Sequence, residues 1–236
     1  MTNHTQICVY LERLLLVLGS RVVLKIDELS IKQGALTLLT GPNGSGKTSL
    51  LKVLAGLLVP RRVQITCNGS PMGTAEAMVY WRGRHIYLHQ QPYLFDTTVA
   101  ENVGYGLKLR GYGRVQRDIQ IRTALVWARL DHLADRPTHA LSSGEKQRVA
   151  LTRARILNPA ALLADEITSN MDSVSREQTK SLLHDLSRSG VTVIVASHEV
   201  GQFDDIADEH LTLDGGQLIT DPIVGDVIPL KHQQRP

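Results

Sequence analysis

The sequence lacks the marks of a membrane-spanning or secreted chain. No apolar run approaches the roughly 18 residues that a spanning helix needs. The first residues, Met1-Thr2-Asn3-His4-Thr5-Gln6, have neither the charged start nor the apolar core of a signal peptide. The expectation is therefore a chain that stays in the cytoplasm. Cysteine is scarce: Cys8 and Cys67 stand alone, with no C-x-x-C and no histidine at metal spacing, and read as buried or idle thiols. Strong charge of one sign is missing too. Lys and Arg total 26 against 23 Asp and Glu, and a net +3 is too small to argue for a nucleic-acid partner. There is no internal repeat and no low-complexity segment. What remains is 236 residues, 42% hydrophobic and 21% charged, the make-up of an ordinary globular protein of one large domain or two small ones.

One stretch organises the rest. Gly41-Pro42-Asn43-Gly44-Ser45-Gly46-Lys47-Thr48 fits G-x-x-x-x-G-K-[ST], the phosphate-binding loop. Glycines let the backbone curl so that successive N–H groups point at phosphate oxygens. Lys47 brings positive charge to the terminal phosphates, and the Thr48 hydroxyl can ligate magnesium. Ser49 follows in the same first helical turn and is counted with them. The context fits: Leu36–Thr40 reads as a buried strand before the loop, and Thr48 to Leu58 as a helix whose N-terminus favours an anion.

Before the loop, Cys8–Leu11, Leu14–Leu18 and Val22–Leu24 look like strands, with Gly19-Ser20 and Gly34 as turns. After it, Val63–Cys67 and His85–Leu88 read as strands, while 70–84 is turn-rich and has no clear pattern. From Thr98 to Asn158 the period is helical, with helices expected over Val115–Leu130 and Ser143–Leu157. Ala160–Ala164 and Val191–Ala196 are apolar on both faces, and Ser175–Arg188 between them is amphipathic. Such strands separated by a helix indicate a parallel sheet covered by helices. Beyond Gly216 the pattern is weak.

Asp165-Glu166 ends one of these strands, and the phosphate loop ends another. Carboxyl ends of parallel strands gather on one edge, where ligands bind. Asp165 is thus placed to hold Mg²⁺, and Glu166 to polarise an attacking water. By itself such a pair also reads as a helix cap or a solvated turn; the phosphate loop tips the reading toward function.

Further motifs carry a family resemblance. Leu141-Ser142-Ser143-Gly144-Glu145 resembles the L-S-G-G-Q signature of ATP-binding-cassette (ABC) proteins, about twenty residues before the acidic pair. Gln90, in Leu88-His89-Gln90-Gln91-Pro92, resembles the Q-loop; Ser169-Asn170-Met171-Asp172 the D-loop; His198 the switch histidine. The motifs keep the family's order over roughly Val9 to Gly216. The resemblance implies an α/β fold, a phosphate-loop ABC cassette with a RecA-like parallel-sheet core, an N-terminal antiparallel β subdomain and an inserted α-helical subdomain. It implies one nucleotide-binding domain over 1–236, with the helical part at about 93–158 and a weakly patterned tail at 217–236.

The resemblance also implies a mechanism: ATP hydrolysis with Mg²⁺, two cassettes facing head to tail, and each phosphate loop completed by the other copy's signature. Ser142 and Gly144 would then reach the γ-phosphate in trans; Ser143 and Asp172 are counted with them as nucleotide-binding, with either the Ser143 Cβ crowding the phosphate or its hydroxyl adding a donor. Gln90 would touch the metal or the water, and His198 the γ-phosphate. Three positions depart from the family pattern. Ser143 replaces a glycine, Ile167 replaces a proline after Glu166, and aliphatic Leu18 stands where an adenine-stacking aromatic is usual. The adenine would pack on Leu18 or find no stacking partner.

Residues 94–111 resemble oxyanion and polar-solute importers. Ala196–Gln202 and Arg136-Pro137 are similar to the ATPase subunits of tungstate and molybdate importers. That implies separate permease subunits, a periplasmic or lipid-anchored solute-binding protein, a place on the inner face of the membrane, and no nucleic acid. Two alternatives stay open: an exporter ATPase for haem or lipid, and a cassette ATPase acting on ribosomes or DNA.

Overall fold

A computed structural model describes residues 6–219, with Asn170 and Val200 excepted. The weakly patterned tail from 220 onward and Asn170 of the D-loop stretch lie outside the described residues. β1 (Ile7–Leu18) and β2 (Arg21–Lys32) form an antiparallel hairpin about Gly19-Ser20. The two runs expected as separate strands are one. Arg13 sits between them at φ 53, and the register against the neighbouring strand slips there, so the break is a bulge and not a turn.

The chain leaves the hairpin as β3 (Leu36–Thr40) and passes through the loop into α1 (Lys47–Leu54). This helix stops short of the expected Leu58. Gly56 turns the chain at φ 71, and the Leu57 N–H donates back to the Lys52 carbonyl. β4 (Arg62–Cys67) and β5 (Ser70–Met72) complete an antiparallel sheet of order β2-β1-β4-β5. The stretch without a clear pattern holds β5 and α2 (Thr74–Arg84), which buries Ala77, Met78 and Trp81. β6 (His85–Leu88) follows as expected.

Three helices come next: α3 (Val99–Leu109), α4 (Arg114–Trp127) and α5 (Ser143–Arg155). Then β7 (Ala161–Asp165), α6 (Ser173–Arg188) and β8 (Thr192–Ala196) alternate. β9 (Glu209–Asp214) and β10 (Gln217–Ile219) close a hairpin that the weak pattern beyond Gly216 did not announce. The second sheet has the order β10-β9-β3-β8-β7-β6 and is parallel apart from β10.

Every residue of β7 and β8 is buried, which explains their unbroken apolar runs. Val193 and Val195 pack into a cluster with the helical segment, while Ile194 and Ala196 pack toward α1 and the antiparallel sheet. α3 and α5 share the first cluster with β3 and β7, so the helical segment is built onto the central sheet. Among the described residues no helix is long and apolar enough to cross a membrane. Cys8 and Cys67 are free thiols, both pushed up in pKa chiefly by burial.

Candidate nucleotide site

β3, β8 and β7 run side by side in parallel, with Leu39 opposite Ala196 and Ala196 opposite Asp165. Their carboxyl ends therefore share one edge, as the sequence pattern predicts. The loop after β3 lies close to its surroundings. Gly41 sits at φ 143, and a Cβ there would press on the Leu213 carbonyl and the Ser45 hydroxyl. Gly46 stands at the N-cap of α1, so the helix has no side-chain cap, and its first turn has no acidic residue. Its first amides are left for an anion.

The charged groups converge on this loop. Lys47 is only 5% exposed. Its ammonium donates to the Gly41 and Pro42 carbonyls at 2.7 and 3.2 Å and lies 3.9 Å from Glu166 Oε1. Glu166 Oε2 in turn is 3.5 Å from His198 Nδ1. Thr48 donates its hydroxyl to Asp165 Oδ2 at 2.8 Å. Glu166 itself holds φ 50, a left-handed backbone that costs a non-glycine residue about 1–3 kcal/mol and clusters at functional sites. No proline fixes this turn. The following Ile167 is 1% exposed and locked in the core, and Ser169 N–H closes the turn onto the Glu166 carbonyl at 3.1 Å.

Lys47, Thr48, Asp165 and Glu166 line a cavity of about 600 Å³, together with Asn43, Gly44, Gly46, Ser49 and Gln90; His198 is not among its lining residues and meets it through Glu166. Gln90 reaches across and donates from Nε2 to Ser169 Oγ at 3.0 Å. Ser142, Ser143, Gly144 and Asp172 are not among the lining residues. Ser142 and Ser143 are exposed. Ser142 caps α5, accepting from Glu145 N–H at 3.3 Å, while Glu145 Oε2 accepts from Ser142 N–H at 2.7 Å. Asp172 caps α6 by accepting from Ser175 N–H at 2.8 Å, which holds its carboxyl below the usual range. Within one chain the signature does not line the phosphate-loop cavity.

Four features escaped the sequence reading. Arg21, Val22 and Val23 line the cavity, and Leu18 does not. Gly215 and Gly216, in the β9–β10 turn, back the loop: Gly216 N–H donates to the Ser45 carbonyl at 3.0 Å. Tyr87 donates its hydroxyl to Asp165 Oδ2 at 2.6 Å. Gln147, buried in α5, donates to the His89 carbonyl at 3.2 Å and so ties the signature helix to the Q-loop. Only the Asp214-Gly215-Gly216-Gln217 turn carried a local signal, two glycines after an alternating run.

The residues fit a magnesium–nucleotide. Asp165 Oδ1 and Ser45 Oγ are buried polar atoms without a protein partner among the described residues. No group of three His, Cys, Asp or Glu side chains among the described residues is arranged to hold a metal by itself. Magnesium suits such a site, since it is usually held by one or two carboxylates and the substrate's phosphates.

Fold and site together define a phosphate-loop nucleotide-binding protein with its ligand edge at the ends of parallel strands. The comparisons narrow the class, and the chain belongs to the ABC transporter family, whose sequence model matches residues 24–169. It is 34% identical over 204 residues to a ferric-ion import ATP-binding protein of Haemophilus influenzae, covering 85% of this chain and 61% of that protein. It is 32% identical over 216 residues to an energy-coupling factor transporter ATP-binding protein of Halalkalibacterium halodurans, covering 90% and 76%. Among solved structures it superposes with a TM-score of 0.83, at 26% identity, on a cbiO protein of Clostridium perfringens that is part of the ABC transporter complex cbiONQ. That match covers 91% of this chain and 87% of the other. The chain spans about three fifths of the length of the ferric-ion relatives it matches. ATP is the ligand that this family's cassette binds, with Mg²⁺ as the usual companion ion.

Proposed function

We propose that this chain is the ATP-hydrolysing subunit of a bacterial importer, working as a pair of cassettes beneath separate permease subunits. One observation carries the reading. Glu166 lies between the Lys47 ammonium and the His198 ring, and Thr48 is hydrogen-bonded to Asp165, yet the signature does not line the cavity at the phosphate loop. The family resemblance supplies the rest of the reading: the signature of a second copy would complete the site.

In this reading Lys47 and the loop amides hold the β- and γ-phosphates. Thr48 and Asp165, with Gln90 nearby, would hold Mg²⁺, which when bound neutralises charge on the phosphates. Glu166 accepts a hydrogen bond from the attacking water and draws on its proton. His198, beside Glu166, supports that water and the γ-phosphate. Ser142, Ser143 and Gly144 of the facing copy bring the α5 N-terminus to the γ-phosphate, with Asp172 close by. The chain is read as one nucleotide-binding unit with its helical segment at about 93–158.

A groove of about 540 Å³ between α3 and α4 supports the permease partner. Phe95, Ala100, Tyr105 and Ile121 line it, a size and character suited to a short helix. A solute-binding protein outside the membrane would complete the system, and the chain would sit on the inner membrane face. The relatives are named for ferric-ion import and for energy-coupling factor transport, a further one for cobalt import. The oxyanion resemblance adds tungstate and molybdate, so an inorganic ion is the solute class that best joins these strands.

The test is Glu166→Gln, which keeps the shape and removes the carboxylate. Hydrolysis should fall about 10²–10⁴-fold while ATP still binds, so the variant should run as an ATP-dependent dimer in size exclusion. Adding Ser142→Arg should return it to monomer. Normal hydrolysis by Glu166→Gln would remove Glu166 from the mechanism; an inactive variant that stays monomeric with ATP bound would count against the facing pair.

A further inference from the structure

Asp165 has its two carboxylate oxygens in different surroundings. Oδ2 accepts two hydroxyl donors, Thr48 Oγ1 at 2.8 Å and Tyr87 Oη at 2.6 Å. Oδ1 is buried with no protein partner among the described residues. Two donors on one oxygen stop the carboxylate from rotating about its last bond, and they leave the other oxygen as the vacant acceptor. The Thr48 bond belongs to the phosphate loop. The Tyr87 bond comes from β6, the strand that pairs with β7, where Tyr87 stands opposite Leu163 and Leu88 opposite Ala164.

We infer that Tyr87 is a positioning residue for the magnesium ligand: its hydroxyl fixes the Asp165 carboxylate so that Oδ1 is presented to the ion. The inference rests on the reading of Asp165 as a metal ligand. The ring of Tyr87 is itself held. Lys52 of α1 lies over it at 5.8 Å from the centroid, and His89 meets it edge-on at 4.6 Å. The ring is thus contacted both from the phosphate-loop helix and from the start of the Q-loop. Burial, followed by the hydrogen bond and the charge of Asp165, pushes the phenol well above the usual tyrosine range. Gln90 lies three residues further along the chain, so one strand and the loop that follows it carry both the support of the metal ligand and the residue proposed to touch the metal.

The measurement is manganese binding in the presence of ADP, read from the free Mn²⁺ signal in electron paramagnetic resonance. It is set beside ADP affinity in EDTA. Tyr87→Phe keeps the ring and removes only the donor. Its manganese dissociation constant should rise on the order of tenfold, the lower end for lost outer-shell support of a metal ligand, with metal-free ADP affinity unchanged. An unchanged manganese affinity, or an equal loss in EDTA, would overturn the positioning role. Asp165→Asn separates the two levels of the argument. If Asp165→Asn weakens manganese binding and Tyr87→Phe does not, Tyr87 alone is misread. If neither does, the assignment of Asp165 falls and the inference with it.

Discussion

Two concavities of nearly equal size, about 600 Å³ at the phosphate loop and about 540 Å³ between α3 and α4, are built in opposite ways. The first is made of backbone held in costly conformations and of charges with little exposure. Gly41 and Glu166 sit at positive φ, Lys47 and Asp165 are buried, and the surrounding strands clamp them. The second is made of side chains on exposed helix faces. Tyr105 is 41% exposed and packs at a tilt against Phe95, with ring centroids 4.4 Å apart, and Lys108, Arg117 and Asp118 line the same groove. A site for a small charged ligand has to be formed before the ligand arrives, because free energy spent on ordering is lost from binding. A docking groove can stay open, because its partner brings the area that completes it.

The largest effect should come from the formed side. Lys47 is the one loop side chain carrying positive charge, and its ammonium is already aimed by the Gly41 and Pro42 carbonyls. Lys47→Ala should remove a charge-assisted contact of about 1.5–3 kcal/mol, roughly a 10- to 150-fold loss of ATP affinity in a calorimetric titration. It would leave Glu166 without its nearest cation as well. A variant that binds ATP as tightly as the parent would mean that the loop amides alone hold the phosphates, and the contrast in construction would lose its electrostatic half.

What could be read from the sequence follows the same division. The phosphate loop, β7, β8 and the acidic pair were legible because each is a local pattern: a spaced glycine motif, or an apolar run ending in carboxylates. Tyr87, Arg21 and Gln147 were not, because strand order and helix packing bring them to the site from 78, 144 and 18 residues away from Asp165. The β1 bulge was legible only as a gap between apolar runs, since nothing local distinguishes a left-handed Arg13 from a turn. Residue type alone does not sort the four aromatics between 93 and 112. Tyr93 and Tyr105 are exposed, whereas Phe95 and Tyr112 are half-buried, because helix packing rather than residue type decides which rings stay outside.

A middle-sized effect should come from the open side. Anchoring aromatics near the centre of an interface typically cost about 2 kcal/mol or more when truncated. Tyr105→Ala should therefore reduce recovery of the permease with this chain by at least about tenfold, while ATP affinity of the isolated protein stays at the parent value. Loss of ATP affinity in that variant would show that the two concavities are not independent. Crosslinks from the permease confined to another face would remove the groove from the docking surface altogether.

The smallest effect concerns the rim of the nucleotide cavity, where the formed side meets solvent. Leu18 and Arg21 face each other across the β1–β2 turn, but Arg21 is the one that lines the cavity. Its guanidinium is exposed and planar, and such a group can lie flat on a purine in place of an aromatic ring. At an exposed site that contact is worth about 0.5–1 kcal/mol. Arg21→Ala should thus weaken ATP binding about 2–5-fold, and Leu18→Ala should leave it unchanged. Inorganic triphosphate separates stacking from charge: it has no base, so Arg21→Ala should not alter its affinity. If triphosphate binding falls as far as ATP binding does, Arg21 acts through the phosphates, and the rim belongs electrostatically to the loop instead of to the base.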